Sequence, residues 1–292
     1  MPKLAAPSAR ERKPKLGQHF LSSESVAAQI LEALGDLSQR TVLEIGPGRG
    51  VLTTPLVRRA RRVIAIELDR VLAAQLRMQF ALASNIEIIE GDILAIDLAT
   101  LFGPKPGSSR PGLNFTPECV RVVGNLPYYI TSDILFHLFS ARQCFDEIVI
   151  MVQKEVADRL AAQPGSRDYG LLSATAQLYA RVDKLFDVPP AAFAPPPKVH
   201  SAVVRLAMDA QFDRLRVPED GFIKFLKVSF AQKRKTLWNN LKSNYPEPAL
   251  RAALAHAEVK PAVRAEALPL EKSAAIFRHL SSRNGDIGPT SK

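Results

Sequence analysis

Two rhythms alternate along the chain. Short runs rich in apolar and β-branched residues occupy 41–45, 63–67, 120–124 and 145–152, the pattern of strands covered on both faces, and 85–92, where isoleucines are interspersed with glutamates, reads as a further strand. Between them, residues 23–34, 51–60, 69–80 and 131–140 carry apolar positions at helical spacing, so strand and helix take turns and predict an α/β fold. Ser22 is placed to cap the 23–34 helix, with Leu21 and Val26 as the hydrophobic pair that fixes its entry. Leu68, Leu72, Leu76 and Phe80 recur at steps of four and predict a core stripe along the 69–80 helix. Two more strands, 182–188 and 200–208, flank a proline-rich stretch at 189–197 whose one aromatic is Phe193. From Asp209 the spacing is helical to the end, with Phe222, Leu226 and Phe230 on one face. The division that follows is a basic arm over 1–16, an α/β domain over 17–208 and a small helical domain over 209–292. Residues 103–118, rich in Pro, Gly and Ser, read as a surface excursion.

The first of these strands runs into Glu44-Ile45-Gly46-Pro47-Gly48-Arg49-Gly50. Three glycines on alternate positions permit positive φ and leave no Cβ to block a ligand lying on the loop. The helix expected at 51–60 would aim its free N–H groups at the same ligand. Val51 stands where a dehydrogenase carries its third glycine, so the spacing departs from the dinucleotide fingerprint. Glu67 ends the second strand, placed to accept both hydroxyls of a ribose, and Asp92 ends the third. Glu44, Glu67 and Asp92 would then gather at the carboxyl edge of one sheet, the binding edge of such folds. The fourth strand delivers Asn125-Leu126-Pro127-Tyr128-Tyr129. Proline fixes the backbone after Leu126 and so holds the Asn side chain and the nearby carbonyls in one orientation. The result is a set of acceptors for an amino group beside a ring that can stack on a base.

Composition narrows the partners. Against 29 Asp plus Glu the chain carries 39 Lys plus Arg, a formal charge of +10 that favours a polyanion. Lys233, Arg234, Lys235 and Lys242 cluster after the Phe222 face and suit an RNA-binding surface. Cys119 and Cys144 are too few for a disulfide framework, and neither has a second Cys or a His at metal-ligand spacing. A reduced, cytoplasmic, metal-free protein is expected, with a monomer as the default. No apolar run reaches the length of a membrane span, and the N-terminus lacks the apolar region of a signal peptide.

Several motifs, taken in order, resemble a known family. Gln18-His19-Phe20-Leu21, the 44–50 loop, Glu67-Leu68-Asp69, Gly91-Asp92 and Asn125-Leu126-Pro127-Tyr128 are followed by Gln153-Lys154-Glu155-Val156, Tyr169-Gly170-Leu171-Leu172-Ser173, the 188–204 segment and Phe230-Ala231-Gln232-Lys233-Arg234-Lys235-Thr236-Leu237. Together, over residues 17–280, they resemble the 16S ribosomal RNA adenine-N6,N6 dimethyltransferases. The resemblance implies a Rossmann-like class I S-adenosylmethionine methyltransferase sheet with a small C-terminal α-helical domain. It implies S-adenosyl-L-methionine as cofactor, with no metal, held by His19, Leu21, Gly46, Glu67, Asp92 and Asn125. Asn125, Leu126 and Tyr128 would carry the catalysis, and Tyr128 and Phe193 would stack on the two faces of a flipped adenine. The implied substrate is a pair of adjacent adenosines near the 3′ end of 16S rRNA, in the small ribosomal subunit or its precursor. His19 stands where many relatives have Asn, and His200 where many have Asp. Two alternatives share the motifs: a 23S rRNA adenine methyltransferase of the macrolide-resistance type, and a non-catalytic RNA-binding assembly or transcription factor on the same fold. A nicotinamide dehydrogenase fits least, given the glycine spacing.

Overall fold

The computed structural model describes residues 19–103 and 120–283; the 1–16 arm, most of the 103–118 excursion and Cys119 lie outside them. The first part of the chain contains β1 (Phe20–Leu21), α1 (Glu24–Ala33), β2 (Thr41–Ile45), α2 (Thr53–Arg59), β3 (Arg62–Glu67), α3 (Arg70–Gln79), β4 (Ile86–Glu90) and α4 (Leu98–Phe102). It continues through β5 (Val120–Asn125), α5 (Thr131–Ser140), β6 (Phe145–Gln153), α6 (Lys154–Leu160), α7 (Leu171–Tyr179), β7 (Ala180–Val188), β8 (Phe193–Ala194) and β9 (Ser201–Met208). The rest is helical: α8 (Phe212–Leu215), α9 (Glu219–Ser229), α10 (Leu237–Leu241), α11 (Glu247–His256) and α12 (Leu270–Arg283).

Among the described residues seven strands form one sheet in the order β4-β3-β2-β5-β6-β9-β7. The five strands from β4 to β6 are mutually parallel, and β9 runs antiparallel to both β6 and β7. The order reverses between β2 and β5, which opens a crevice at their carboxyl ends where such sheets take ligands. Strand periodicity explains the two-sided core. Leu43, Ile45, Ile64 and Ile66 face one side with Ile134 and Leu138 of α5, whereas Val42 and Val63 face the other with Ile30 of α1 and Leu56 of α2. The first of these clusters runs without a break into Phe222, Phe225, Leu254 and Ile276 of the C-terminal helices. Glu219 at the start of α9 reinforces the junction, accepting from Tyr179 Oη at 2.7 Å and pairing with Arg142 at 2.6 Å.

Some expectations need correcting. Ser23, not Ser22, caps α1 through Val26 N, because Ser22 is drawn to Ala192 O by both its amide and its hydroxyl. The α3 stripe is Ala73 and Leu76, with Leu72 and Phe80 half-buried; Leu68 precedes the helix and is 49% exposed. α2 begins at Thr53, later than the 51–60 expectation, because Gly50 to Leu52 complete the turn.

Gly124 shows how tightly the switch point is packed. A Cβ there would lie 2.6 Å from Ile45 O in the neighbouring strand, a backbone atom that cannot swing away. Gly124→Ala is expected to cost about 1–3 kcal/mol through this overpacking. Thermal unfolding of the variant would register a drop of several degrees; an unchanged midpoint would mean that β2 and β5 can part without cost.

Candidate active site

The crevice is a cleft open to solvent at the carboxyl edge of the sheet. Its lining comes from the ends of β2, β3, β4 and β5 and from the segment before β1. His19, Gly46, Glu67, Asp92, Asn125, Leu126 and Tyr128, all expected at the site, line this one cleft.

Glu67 is 3% exposed, yet its carboxylate borders the cleft. Oε2 accepts from Gly48 N at 3.0 Å and Oε1 from Asp69 N at 2.8 Å. These bonds fix the carboxylate against the glycine loop and still leave a lone pair on each oxygen. Asp92 caps the following turn, accepting from Leu94 N at 3.0 Å through Oδ1, and Oδ2 is left for a ligand. Gly48 has φ +57°, and a Cβ there would come within 2.9 Å of Phe20 Cδ1. A glycine is therefore what lets Phe20 lie down on the loop, where the Arg49 guanidinium covers the ring at 4.8 Å.

The Asn125 side chain is oriented by its neighbour. Its Nδ2 donates to His19 O at 2.9 Å. A carbonyl can only accept, so the amide nitrogen must face His19, and Oδ1 is the atom left at the cleft; among the described residues nothing donates to it. The following turn closes through Pro127 O, which accepts from Ile130 N and Thr131 Oγ1, so Leu126 O is spared. Tyr128 is half-buried; burial pushes its phenol above the ordinary value, and the Ser201 hydroxyl 2.7 Å away opposes that shift. The His19 ring stacks against Tyr128 with centroids 6.2 Å apart, and His19 Nδ1 bonds Pro195 O at 2.9 Å.

Three expected residues are not at the cleft. Leu21 is 6% exposed and Phe193 4% exposed, and both pack in the core cluster of α1 and α2. β1 and β8 pair antiparallel, Phe20 with Ala194 and Leu21 with Phe193. Successive side chains of a strand face opposite ways, so the pairing that turns Phe20 to the loop turns Leu21 to the core. The ring that meets Tyr128 is thus His19, in place of Phe193. Glu44 is 1% exposed and lies behind the cleft. Burial raises its pKa to about 8; the Thr53 hydroxyl beside it, short of hydrogen-bond geometry, offsets part of that shift, and the nearby Glu67 adds to it. The expected helix N-terminus is absent from the lining as well, since α2 starts too late to reach it.

Phe20, Leu68, Ile93 and Tyr129 line the cleft without having been singled out as site residues. Phe20 lay inside the Gln18–Leu21 motif, and Leu68 directly after Glu67, so proximity to a motif was the available signal. Among the described residues no group of three His, Cys, Asp or Glu is placed to hold an ion. Nor is any helix among them long and apolar enough to cross a membrane.

A ligand with a ribose, an amino-bearing base and an apolar flank fits this lining: acceptors at Glu67 and Asp92, and walls at Ile45, Ile66 and Ile93. With the parallel sheet and its switch-point cleft, these features define a Rossmann-like methyltransferase that uses S-adenosylmethionine. A family model described as ribosomal RNA adenine dimethylase matches residues 9–282, and the chain belongs to that family. It is 55% identical over 282 residues to the ribosomal RNA small subunit methyltransferase A of Koribacter versatilis, covering 96% of this chain and 99% of the relative. The protein of the same name from Acidobacterium capsulatum is 53% identical over 275 residues, with 94% and 93% covered. Among solved structures, a dimethyladenosine transferase from Plasmodium falciparum superposes with a TM-score of 0.71 at 26% identity, covering 91% of this chain and 98% of that one. The 23S rRNA methyltransferase ErmE gives 0.65 at 27% identity, with 90% and 99% covered.

Proposed function

We propose that this protein transfers methyl groups from S-adenosylmethionine to N6 of two adjacent adenosines near the 3′ end of 16S rRNA, giving dimethyladenosines during small-subunit biogenesis. The observation that carries this is the Asn125 amide, whose Nδ2 is held by His19 O so that Oδ1 is left as the acceptor, with Leu126 next to it in the lining of the same cleft. The exocyclic amine of adenine is a poor nucleophile because its lone pair is delocalised into the ring. Asn125 Oδ1 and Leu126 O accept its two N–H bonds and turn the lone pair out of that plane. When bound, S-adenosylmethionine supplies an electrophilic methyl on a sulfonium. Glu67 holds the ribose hydroxyls, Asp92 the adenine amino group, and His19 and Gly46 border the same ligand. Tyr128 supplies the stacking face for the target base.

The small-subunit assignment is favoured by identity of 55% and 53% to relatives bearing that name, against 27% to the 23S enzyme. The helical domain from 209 contributes Lys233, Arg234, Lys235 and Lys242, all exposed, as phosphate contacts. A monomer working in the cytoplasm is the simplest setting for this activity.

Incubation with methyl-labelled S-adenosylmethionine and small ribosomal subunits that lack the modification tests the proposal. Label recovered as N6,N6-dimethyladenosine near the 3′ end of 16S rRNA is expected. Label on large-subunit RNA alone would move the assignment to the 23S type, and tight RNA binding with no label would leave a non-catalytic factor. Glu67→Ala tests the cofactor side separately. It removes an acceptor and releases Gly48 N, so calorimetry is expected to show S-adenosylmethionine binding weakened by roughly 10- to 100-fold.

A further inference from the structure

Tyr128 lies on a single 3-10 turn, Tyr128–Ile130, outside the sheet, yet its ring is held in place. Its hydroxyl is 2.7 Å from Ser201 Oγ, an optimal length for an O–H···O bond. Ser201 is fully buried and opens β9, where it pairs with Gln153 of β6 on one side and Val188 of β7 on the other. The sheet therefore sets its position, and no loop movement can carry it away. Ser201 is not part of the cleft lining, so it can influence a ligand there only through Tyr128. The stacked His19 ring, itself tied to Pro195 O, limits the tilt that the hydroxyl bond leaves open.

We propose that Ser201 is a positioning residue for methyl transfer, its hydroxyl locking the Tyr128 ring as a preset platform for the target adenine. This rests on the stacking role given to Tyr128 above. An untethered tyrosine on a turn rotates freely and must be ordered when the base arrives; a ring already fixed removes that entropic cost from base capture. The hydrogen bond spans a sheet strand and a catalytic turn that are 73 residues apart in sequence, so it also fixes the distance between the platform and the start of β9, inside the sheet. Neither hydroxyl is required by the chemistry at N6. Their contribution is geometric, and it falls on the RNA side of the reaction.

The test is a double-mutant cycle of Ser201→Ala and Tyr128→Phe, with Tyr128→Ala as reference. Each of the first two is expected to lower kcat/KM for RNA by about three- to tenfold, the worth of one hydrogen bond and one ordered side chain. The double variant should lose no more than either single one, with S-adenosylmethionine affinity unchanged in all three. Quenching of 2-aminopurine placed at the target position should weaken in step, which a merely structural serine would not cause. Additive losses, or a fully active Ser201→Ala beside an impaired Tyr128→Ala, would overturn the positioning role. A fully active Tyr128→Ala would instead remove the stacking role on which it rests. Should Ser201→Ala fold poorly, Tyr128→Phe alone decides, since it deletes the same bond from the other end; wild-type kcat/KM would refute the proposal.

Discussion

Asn125→Ala is expected to slow methyl transfer by about 100- to 1,000-fold while S-adenosylmethionine binding stays measurable. The size follows from what the side chain does. In the proposed mechanism Oδ1 is one of two acceptors that redirect the lone pair of the adenine amine, and without it the nucleophile stays conjugated with its ring. A second consequence is structural: Nδ2 no longer holds His19 O, so the segment before β1 is freed at the cleft. Asn125→Asp separates the two effects. The carboxylate still offers acceptors to the amine but has no donor for His19 O, and two acceptors would face each other there. Single-turnover rates should therefore rank wild type, then Asn125→Asp, then Asn125→Ala. Equal rates for wild type and Asn125→Ala would sink the role given to this amide.

The parts of this architecture written locally in the chain could be read from it. Short apolar-rich runs marked β2, β3, β5 and β6, and each catalytic or binding candidate at a strand end was placed by that strand's length. Glu67, Asp92 and Asn125 reach one cleft because parallel strands bring their carboxyl ends to a common edge. What could not be read depends on contacts distant in sequence. β1 and β8 are two residues each, and their register, Leu21 with Phe193, decides which of His19, Phe20, Leu21 and Phe193 reach the cleft. No periodicity exists in a two-residue strand, so the motif could be located but not its inward face. The same pairing draws Ser22 to Ala192 O and hands the cap of α1 to Ser23. Ser201 lay within the 188–204 motif, but its hydroxyl contact with Tyr128, 73 residues away in sequence, leaves no local sign. Glu44 has the sequence of a site residue and the surroundings of a core residue, because β2 is central and covered on both faces.

That position of Glu44 carries the second large expectation, which concerns pH. In the folded chain its pKa is raised from 4.5 to about 8, chiefly by burial, so the carboxyl keeps its proton at neutral pH. The unfolded chain releases that proton above pH 4.5. Rising pH therefore favours the unfolded state: the contribution of Glu44 to stability is complete below about pH 4.5 and is lost progressively up to about pH 8. At about 1.4 kcal/mol per pH unit the loss across this window amounts to a few kcal/mol. Glu44→Gln removes it, since the amide does not titrate, and the buried Thr53 hydroxyl beside it can take up part of its hydrogen-bonding capacity. Urea unfolding of the apoprotein at intervals from pH 5 to pH 8 should show wild-type stability falling relative to the Gln variant as pH rises. The relevant quantity is the slope of that difference, because the absolute stability of the variant also includes the cost of burying an amide. Parallel curves would mean that Glu44 is ionised in the folded protein, with its charge compensated inside the core.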